Sequence, residues 1–216
     1  MIQETISRKQ AQKFYDSLGK RYNWFEFYEG RALAYAREAL DLVPGMKVLE
    51  VGVGTGKQHE QLQRAVQPEG SAFGIDLSWK MLTITKERVP SSLCQADAQH
   101  LPFVGGYFDR LYTSYVLDLL PTRDLPAVLD GFYRVIKPGG RLVIVALTEG
   151  VNIPSRALVA AWKFAYSISP ITCGGCRPLQ LAGLVSDANF RVLGRKVIVQ
   201  FGVPSEIITA IKSSME

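Results

Sequence analysis

Two rhythms of apolar positions alternate along this chain of 216 residues. Short β-branched runs start near Lys47, Ala72, Ser92, Phe108 and Arg141 and read as strands. Between them, over 57–66, 78–88 and 125–136, apolar residues recur every three or four positions, as on one face of a helix. Ahead of the first strand, residues 7 to about 43 read as helical, with Leu33, Ala36, Leu40 and Val43 on one face and Pro44-Gly45 closing the segment. Beyond the fifth strand the pattern predicts a helix over 155–166, a turn-rich stretch to Pro178, and a helix over 179–188. The closing FRVLGRKVIVQFG (190–202) alternates around Gly194 and reads as a β-hairpin. Strands alternating with helices predict an α/β, Rossmann-like fold with a doubly wound, mostly parallel sheet and right-handed crossovers, behind a helical N-terminal cap. The chain divides into a cap (1–45), a core (46–147), an excursion (148–178) and a closing helix with hairpin (179–216), all within one domain.

The chemistry starts where the first strand ends. In VLEVGVGTGK (48–57) a β-branched run feeds a turn in which Gly52, Gly54 and Gly56 alternate, and a helix follows. This is the opening of a nucleotide-type crevice. The pattern is GxGxG, without the later glycine that pyrophosphate binders use for close helix packing. Glu50 stands two residues before the first glycine, where it would repel a phosphate and attract a cation. A second acid, Asp76 of GIDLS (74–78), follows the next strand, about 20 residues on, where it can accept hydrogen bonds from ribose hydroxyls. Asp76 could instead cap the following helix, but Ser78 fits that role better.

The acid followed by alternating glycines resembles motif I of class I S-adenosylmethionine-dependent methyltransferases. The resemblance continues in order through CQADAQHLPF (94–103), FDRLYTSYVLDLL (108–120) and VLDGFYRVIKPGGRLVIV (128–145). The group most resembled is the ubiquinone/menaquinone C-methyltransferase-like one. It implies a seven-stranded sheet with an antiparallel last strand and S-adenosyl-L-methionine as cofactor. It places Glu50, Gly52, Gly54 and Gly56 at the methionine end, Asp76 and Leu77 at the ribose, and Asp97 and Ala98 at the adenine. Tyr15-Asp16 with Tyr22-Asn23 resembles a YDxxAxxYD signature of related enzymes, with Gly19 and Asn23 as departures, so Tyr15 and Tyr22 become candidate cofactor contacts.

An acceptor would sit outside the carboxyl ends of the strands, under the aromatic segment 14–30 and the excursion with Trp162, Phe164 and Tyr166. Transfer from a sulfonium is an in-line displacement, which needs alignment and exclusion of water more than a base. Tyr115, Asp118 and His100 are the available candidates for a catalytic group; Trp162 and Arg177 are candidates for acceptor contact.

Composition limits the setting. No apolar run reaches 18 residues, the start lacks a secretory pattern, and three cysteines form no disulfide framework, which together lead us to expect a cytoplasmic enzyme. CGGC (173–176) reads first as a tight turn with small apolar thiols; zinc would need further ligands that the chain supplies poorly, so no metal site is expected. Residues 151–216 carry seven basic side chains against three acidic, most of the net charge of +5. That bias fits either a solvated surface or attraction to an anionic acceptor or membrane surface. Scattered basic residues without a stacking platform argue against nucleic acid, and nothing here fixes an oligomeric state. Three functions follow: methyl transfer to a small hydrophobic, quinone-like acceptor; phospholipid N-methylation of the phosphatidylethanolamine type, in which the partner is lipid-like; or a non-catalytic S-adenosylmethionine-binding module.

Overall fold

A computed structural model of the protein describes residues 5–19 and 26–213. Tyr22 and the rest of the second tyrosine signature lie outside the described residues. The order of elements is α1 (Arg8–Leu18), α2 (Glu26–Ala39), β1 (Lys47–Val51), α3 (Lys57–Val66), β2 (Ser71–Asp76), α4 (Trp79–Arg88), β3 (Ser92–Gln95), β4 (Phe108–Ser114), α5 (Leu125–Val135), β5 (Ile136–Leu147), α6 (Ile153–Ile168), α7 (Ala182–Asp187), β6 (Phe190–Gln200) and β7 (Val203–Lys212). The strands form one seven-stranded sheet in the order β3-β2-β1-β4-β5-β7-β6. β7 runs antiparallel to both of its neighbours, and the pairs on the other side of β5 are parallel.

Period-two alternation divides the core between the two faces of the sheet. Val48, Tyr112, Val143 and Val145 face α2 and α3, meeting Leu33, Ala36, Leu40, Leu62 and Val66. Leu49, Val51, Leu111, Leu142 and Ile144 point the other way, onto Leu125, Leu129 and Phe132 of α5 and Val185 of α7. Central strands buried on both faces read as nearly continuous apolar runs for this reason.

Five boundaries differ from the sequence pattern: β5 starts at Ile136 and not near Arg141, α2 ends at Ala39 and not near Val43, and three more lie toward the end of the chain. The run 190–202 is not itself a hairpin: β6 passes straight through Gly194, where the register shifts by a bulge, and the reversal comes at Phe201-Gly202, with β7 as the second arm. A glycine inside an alternating run marked a bulge here and not a turn. The helix expected over 179–188 is only Ala182–Asp187, because Leu179 donates its N–H to Leu147 O and Leu181 donates to the Glu206 carboxylate. The helix expected over 155–166 extends at both ends, since Asn152 and Ser155 form a reciprocal cap ahead of it.

Candidate functional site

The parallel strands β1, β2 and β4 end together, and their loops enclose a cavity of about 850 Å³. Its floor comes from Val51, Gly52 and Gly54, its sides from Asp76, Leu77, Asp97 and Ala98 and from Ser114 to Val116, and its roof from α1. The glycines serve two purposes. Gly52 (φ +80°) lines the cavity, and a Cβ there would lie 2.2 Å from Val116 Cγ2. Gly56 (φ +78°) does not line it; a Cβ would meet Thr85 at 2.7 Å, so this glycine lets α3 approach α4 and its sequence-based place at the cofactor gives way to a packing role.

Asp76 faces the cavity with both oxygens positioned: Oδ2 accepts the Gly54 N–H at 2.9 Å and Oδ1 the Ser78 N–H at 2.8 Å. Burial pushes this carboxyl up to about 6, against the pull of those two bonds. Each oxygen keeps a second lone pair, so the group can still accept from hydroxyls in the cavity. Ser78 is the cap of α4, accepting from Met81 N–H, and its hydroxyl bonds the Asp16 carboxylate. Asp97 lines the cavity with Oδ1 accepting from Gln99 N–H at 3.0 Å and Oδ2 paired with Arg8 at 2.9 Å.

Glu50 is 1% exposed and lies behind the cavity wall, not in it. Its Oε2 is 2.9 Å from His59 Nδ1, and His59 Nε2 is 2.9 Å from Ser91 Oγ. A neutral ring satisfies both by donating from Nδ1 and accepting at Nε2. Burial holds the Glu50 carboxyl above its ordinary value, and the His59 contact offsets that rise only in part. Glu50 therefore acts on the crevice through its field and not by direct contact.

The roof is held by three contacts that motif reading did not identify: Arg8 with Asp97, Asp16 with Ser78, and Thr5 Oγ1 donating to Leu119 O at 2.9 Å. Tyr15 lines the cavity beneath α1, with its hydroxyl 3.5 Å from Gly174 O and 3.9 Å from Cys176 Sγ. Tyr115 also lines it, at an unusual left-handed backbone position (φ +53°), with its hydroxyl 2.7 Å from Ser205 Oγ. Burial holds the Tyr115 phenol well above its ordinary value, so it stays protonated at neutral pH.

Besides Glu50 and Gly56, four more sequence candidates do not line the cavity. His100 is on the surface. Asp118 is fully buried behind the wall, with Oδ2 accepting from Leu147 N–H at 3.2 Å and Oδ1 unpartnered among the described residues; burial pushes it up to about 7. Arg177 donates to Asp118 O at 3.2 Å, Leu120 O at 2.7 Å and Thr122 Oγ1 at 2.8 Å, so it clamps the 118–122 loop whose other side lines the cavity. Trp162 donates from Nε1 to Cys176 O at 2.9 Å. Arg177 and Trp162 thus support the wall and do not present themselves to an acceptor.

Cys173 and Cys176 are free thiols beside a turn whose glycines lie against Phe14 and Ile6 of the roof. Burial keeps the Cys176 thiol far above its ordinary value, hence neutral and a poor nucleophile. Replacing both by serine is expected to change cofactor affinity and turnover by no more than about twofold. A tenfold or larger loss of turnover in a folded double variant would give the thiols a chemical role.

Comparison with known proteins adds to this geometry. Residues 48–140 match the family model described as a methyltransferase domain. The chain is 31% identical over 128 residues to the ubiquinone/menaquinone biosynthesis C-methyltransferase UbiE of Vibrio vulnificus, a match covering 56% of this chain and 48% of the relative. The chain thus spans about half the length of that curated relative. Among solved structures, an S-adenosylmethionine-dependent methyltransferase from Methanosarcina mazei superposes with a TM-score of 0.67 at 19% identity, over 81% of this chain and 95% of that one. The [4+2]-cyclase SpnF superposes with a TM-score of 0.66 at 18% identity, over 86% of this chain and 81% of that one.

Fold and motif order are similar to those of class I S-adenosylmethionine-dependent methyltransferases, and residues 48–140 match the methyltransferase-domain model. Over the 128 aligned residues the chain resembles the UbiE C-methyltransferase. The residues present fit S-adenosylmethionine: Asp76 at the end of β2 and Asp97 just past β3 flank a cavity large enough for a nucleoside, and Gly52 lines it where a Cβ would clash with Val116.

Proposed function

We propose that this chain transfers a methyl group from S-adenosylmethionine to a small hydrophobic acceptor of the quinone-like kind. The observation that carries this reading is Asp76, a cavity-facing carboxylate aligned by two backbone N–H groups at the tip of β2. When bound, the cofactor supplies an electrophilic methyl on a cationic sulfur. The chain's own work is to hold, orient and exclude water. Asp76 would hold the ribose, Asp97 and the Ala98 backbone the adenine, and the field of Glu50 favours the positive end. Ile6, Ala11, Tyr15, Val116 and Leu119 give the roof an apolar underside suited to an apolar acceptor.

Neither of the chain's two histidines lines the cavity, and Tyr115 stays protonated. That supports an acceptor already nucleophilic, such as an electron-rich ring carbon, with Tyr115 positioning it. The similarity to UbiE is in keeping with this choice, whereas the likeness to SpnF shows that the fold alone does not decide the chemistry. The test is to incubate the protein with methyl-labelled S-adenosylmethionine and a lipid-soluble extract of the source cells. Label is expected in an apolar aromatic product. Label confined to phospholipid would move the acceptor to the lipid class, and cofactor binding with no labelled product from any fraction would leave a binding module.

A further inference from the structure

The outer side of α6 has a different character from the rest of the surface. At about 100° per residue, Ile153, Ala157, Ala160, Phe164 and Ile168 fall on one stripe roughly 80° wide. All five are exposed, Ile153 at 83%, Phe164 at 69% and Ile168 at 71%. The opposite side holds Ser155, Val159, Trp162 and Tyr166; Trp162 and Tyr166 donate to the 175–176 backbone, which fixes which way the stripe faces. Arg156 and Lys163 run along one flank of the stripe, and α6 contains no acidic residue. Glu149, just before the helix, pairs with Lys163 at 2.5 Å.

The apolar surface continues beyond the helix. Gly202 lies against Leu158 of α6, and next to it Phe201 turns an aromatic ring outward, 73% exposed and 5.5 Å from the ring of Phe27. Phe201 holds a left-handed backbone (φ +50°) that glycine would adopt at lower cost. Arg31 is tied beside the same turn through its N–H to the Gln200 side chain. Scattered exposed apolar residues are ordinary on a protein surface; a helix-long stripe joined to an exposed aromatic pair and edged by cations is not.

We infer that this face, α6 with the Phe201 turn, docks on an anionic lipid bilayer. The helix is about 24 Å long, and no described helix is long and apolar enough to cross a membrane, so α6 would lie in the plane of the interface. Charge selects the occupant: the stripe supplies insertion, and Arg156, Lys163 and Arg31 supply attraction to anionic headgroups. Through Trp162 and Tyr166 the docked helix is joined to the 173–176 turn, which packs on the roof of the cavity. The inference does not depend on the acceptor: without docking, transfer to a soluble acceptor would still stand.

Vesicle sedimentation tests it, with phosphatidylcholine alone and phosphatidylcholine containing about one-third phosphatidylglycerol. The protein is expected to pellet with the anionic vesicles, to bind neutral ones at least about tenfold more weakly, and to release at high salt. F164D with I168D is expected to lower partitioning at least about tenfold, and R156Q with K163Q by up to about 25-fold, at about fivefold per cation. All four positions are exposed and outside the cavity, so both variants should keep the wild-type melting temperature and S-adenosylmethionine affinity. Equal pelleting of wild type and the aspartate variant, or no pelleting of wild type, would overturn the inference. So would a wild-type dimer in light scattering that the aspartate variant splits, without vesicle binding, because the face would then belong to a second copy.

Discussion

Asp76→Ala is expected to weaken S-adenosylmethionine binding by at least about 100-fold, read by titration calorimetry at neutral pH, while leaving the sheet intact. Alanine removes the carboxylate that would receive the ribose hydroxyls and also releases the N–H groups of Gly54 and Ser78. Hydrogen bonds to a charged group contribute roughly 1.5–3 kcal/mol each, and an unpaired buried N–H costs about 1–3 kcal/mol. A 100-fold loss is about 2.7 kcal/mol, within reach of one such contact plus a disordered turn. Unchanged affinity would remove Asp76 from the site. A pH signature accompanies the variant. Because burial raises the Asp76 carboxyl to about 6, the ionised, accepting form is lost as pH falls through about 6, and wild-type affinity should fall with it.

Stability has the opposite sign. A carboxyl whose folded value lies above its unfolded value costs the protein stability above the folded value, and the cost is relieved as pH falls toward the ordinary range. Asp76 and Asp118, raised to about 6 and about 7, both act in that direction. Between neutrality and about pH 5, then, protonation of Asp76 should weaken cofactor binding, while the two groups together make the cofactor-free protein no less stable. The strain belongs to groups kept ionisable in a buried place.

The second large effect belongs to His59, which never touches the cavity. His59→Ala is expected to cost about 3–5 kcal/mol, because it leaves Glu50 buried without its partner and opens a void under α3. For a chain of this size that is a fall of roughly 10 °C in melting temperature. Glu50→Gln keeps a hydrogen bond to the ring and should cost distinctly less. It also removes the negative charge behind the glycine turn, so it reads the field of Glu50 on the cofactor apart from the fold. A His59→Ala protein that melts within about 1 °C of wild type would show that the pair carries no stability.

Much of this arrangement is legible in the chain itself, for local reasons. The core strands read correctly because apolar residues occupy both faces of a buried parallel sheet, and α3 and α4 read correctly because their inner faces repeat every three or four positions. His59 sits on the inner face of α3 with Leu62 and Val66, a signal that it is buried, although its partner nine residues back is set by the sheet and not by spacing. Asp76 and Asp97 are legible because one ends β2 and the other lies just past β3, and the topology fixes the direction of both strands. Position along the chain points to Asp118 as a catalytic group and to Arg177 and Trp162 as acceptor contacts. Their side chains are instead spent on the loops that wall the cavity, a choice made by tertiary hydrogen bonds that no sequence period records. The Arg8–Asp97 and Asp16–Ser78 contacts are hidden for the same reason, since they join segments far apart in sequence.

A crystal structure of the protein with S-adenosylhomocysteine, the product form of the cofactor, would decide whether the cavity is the cofactor site. The ligand is expected in the cavity beneath α1, with its ribose hydroxyls on Asp76 and its adenine between Leu77 and Ala98. A ligand bound elsewhere, or one in that cavity making no contact with Asp76, would contradict that placement.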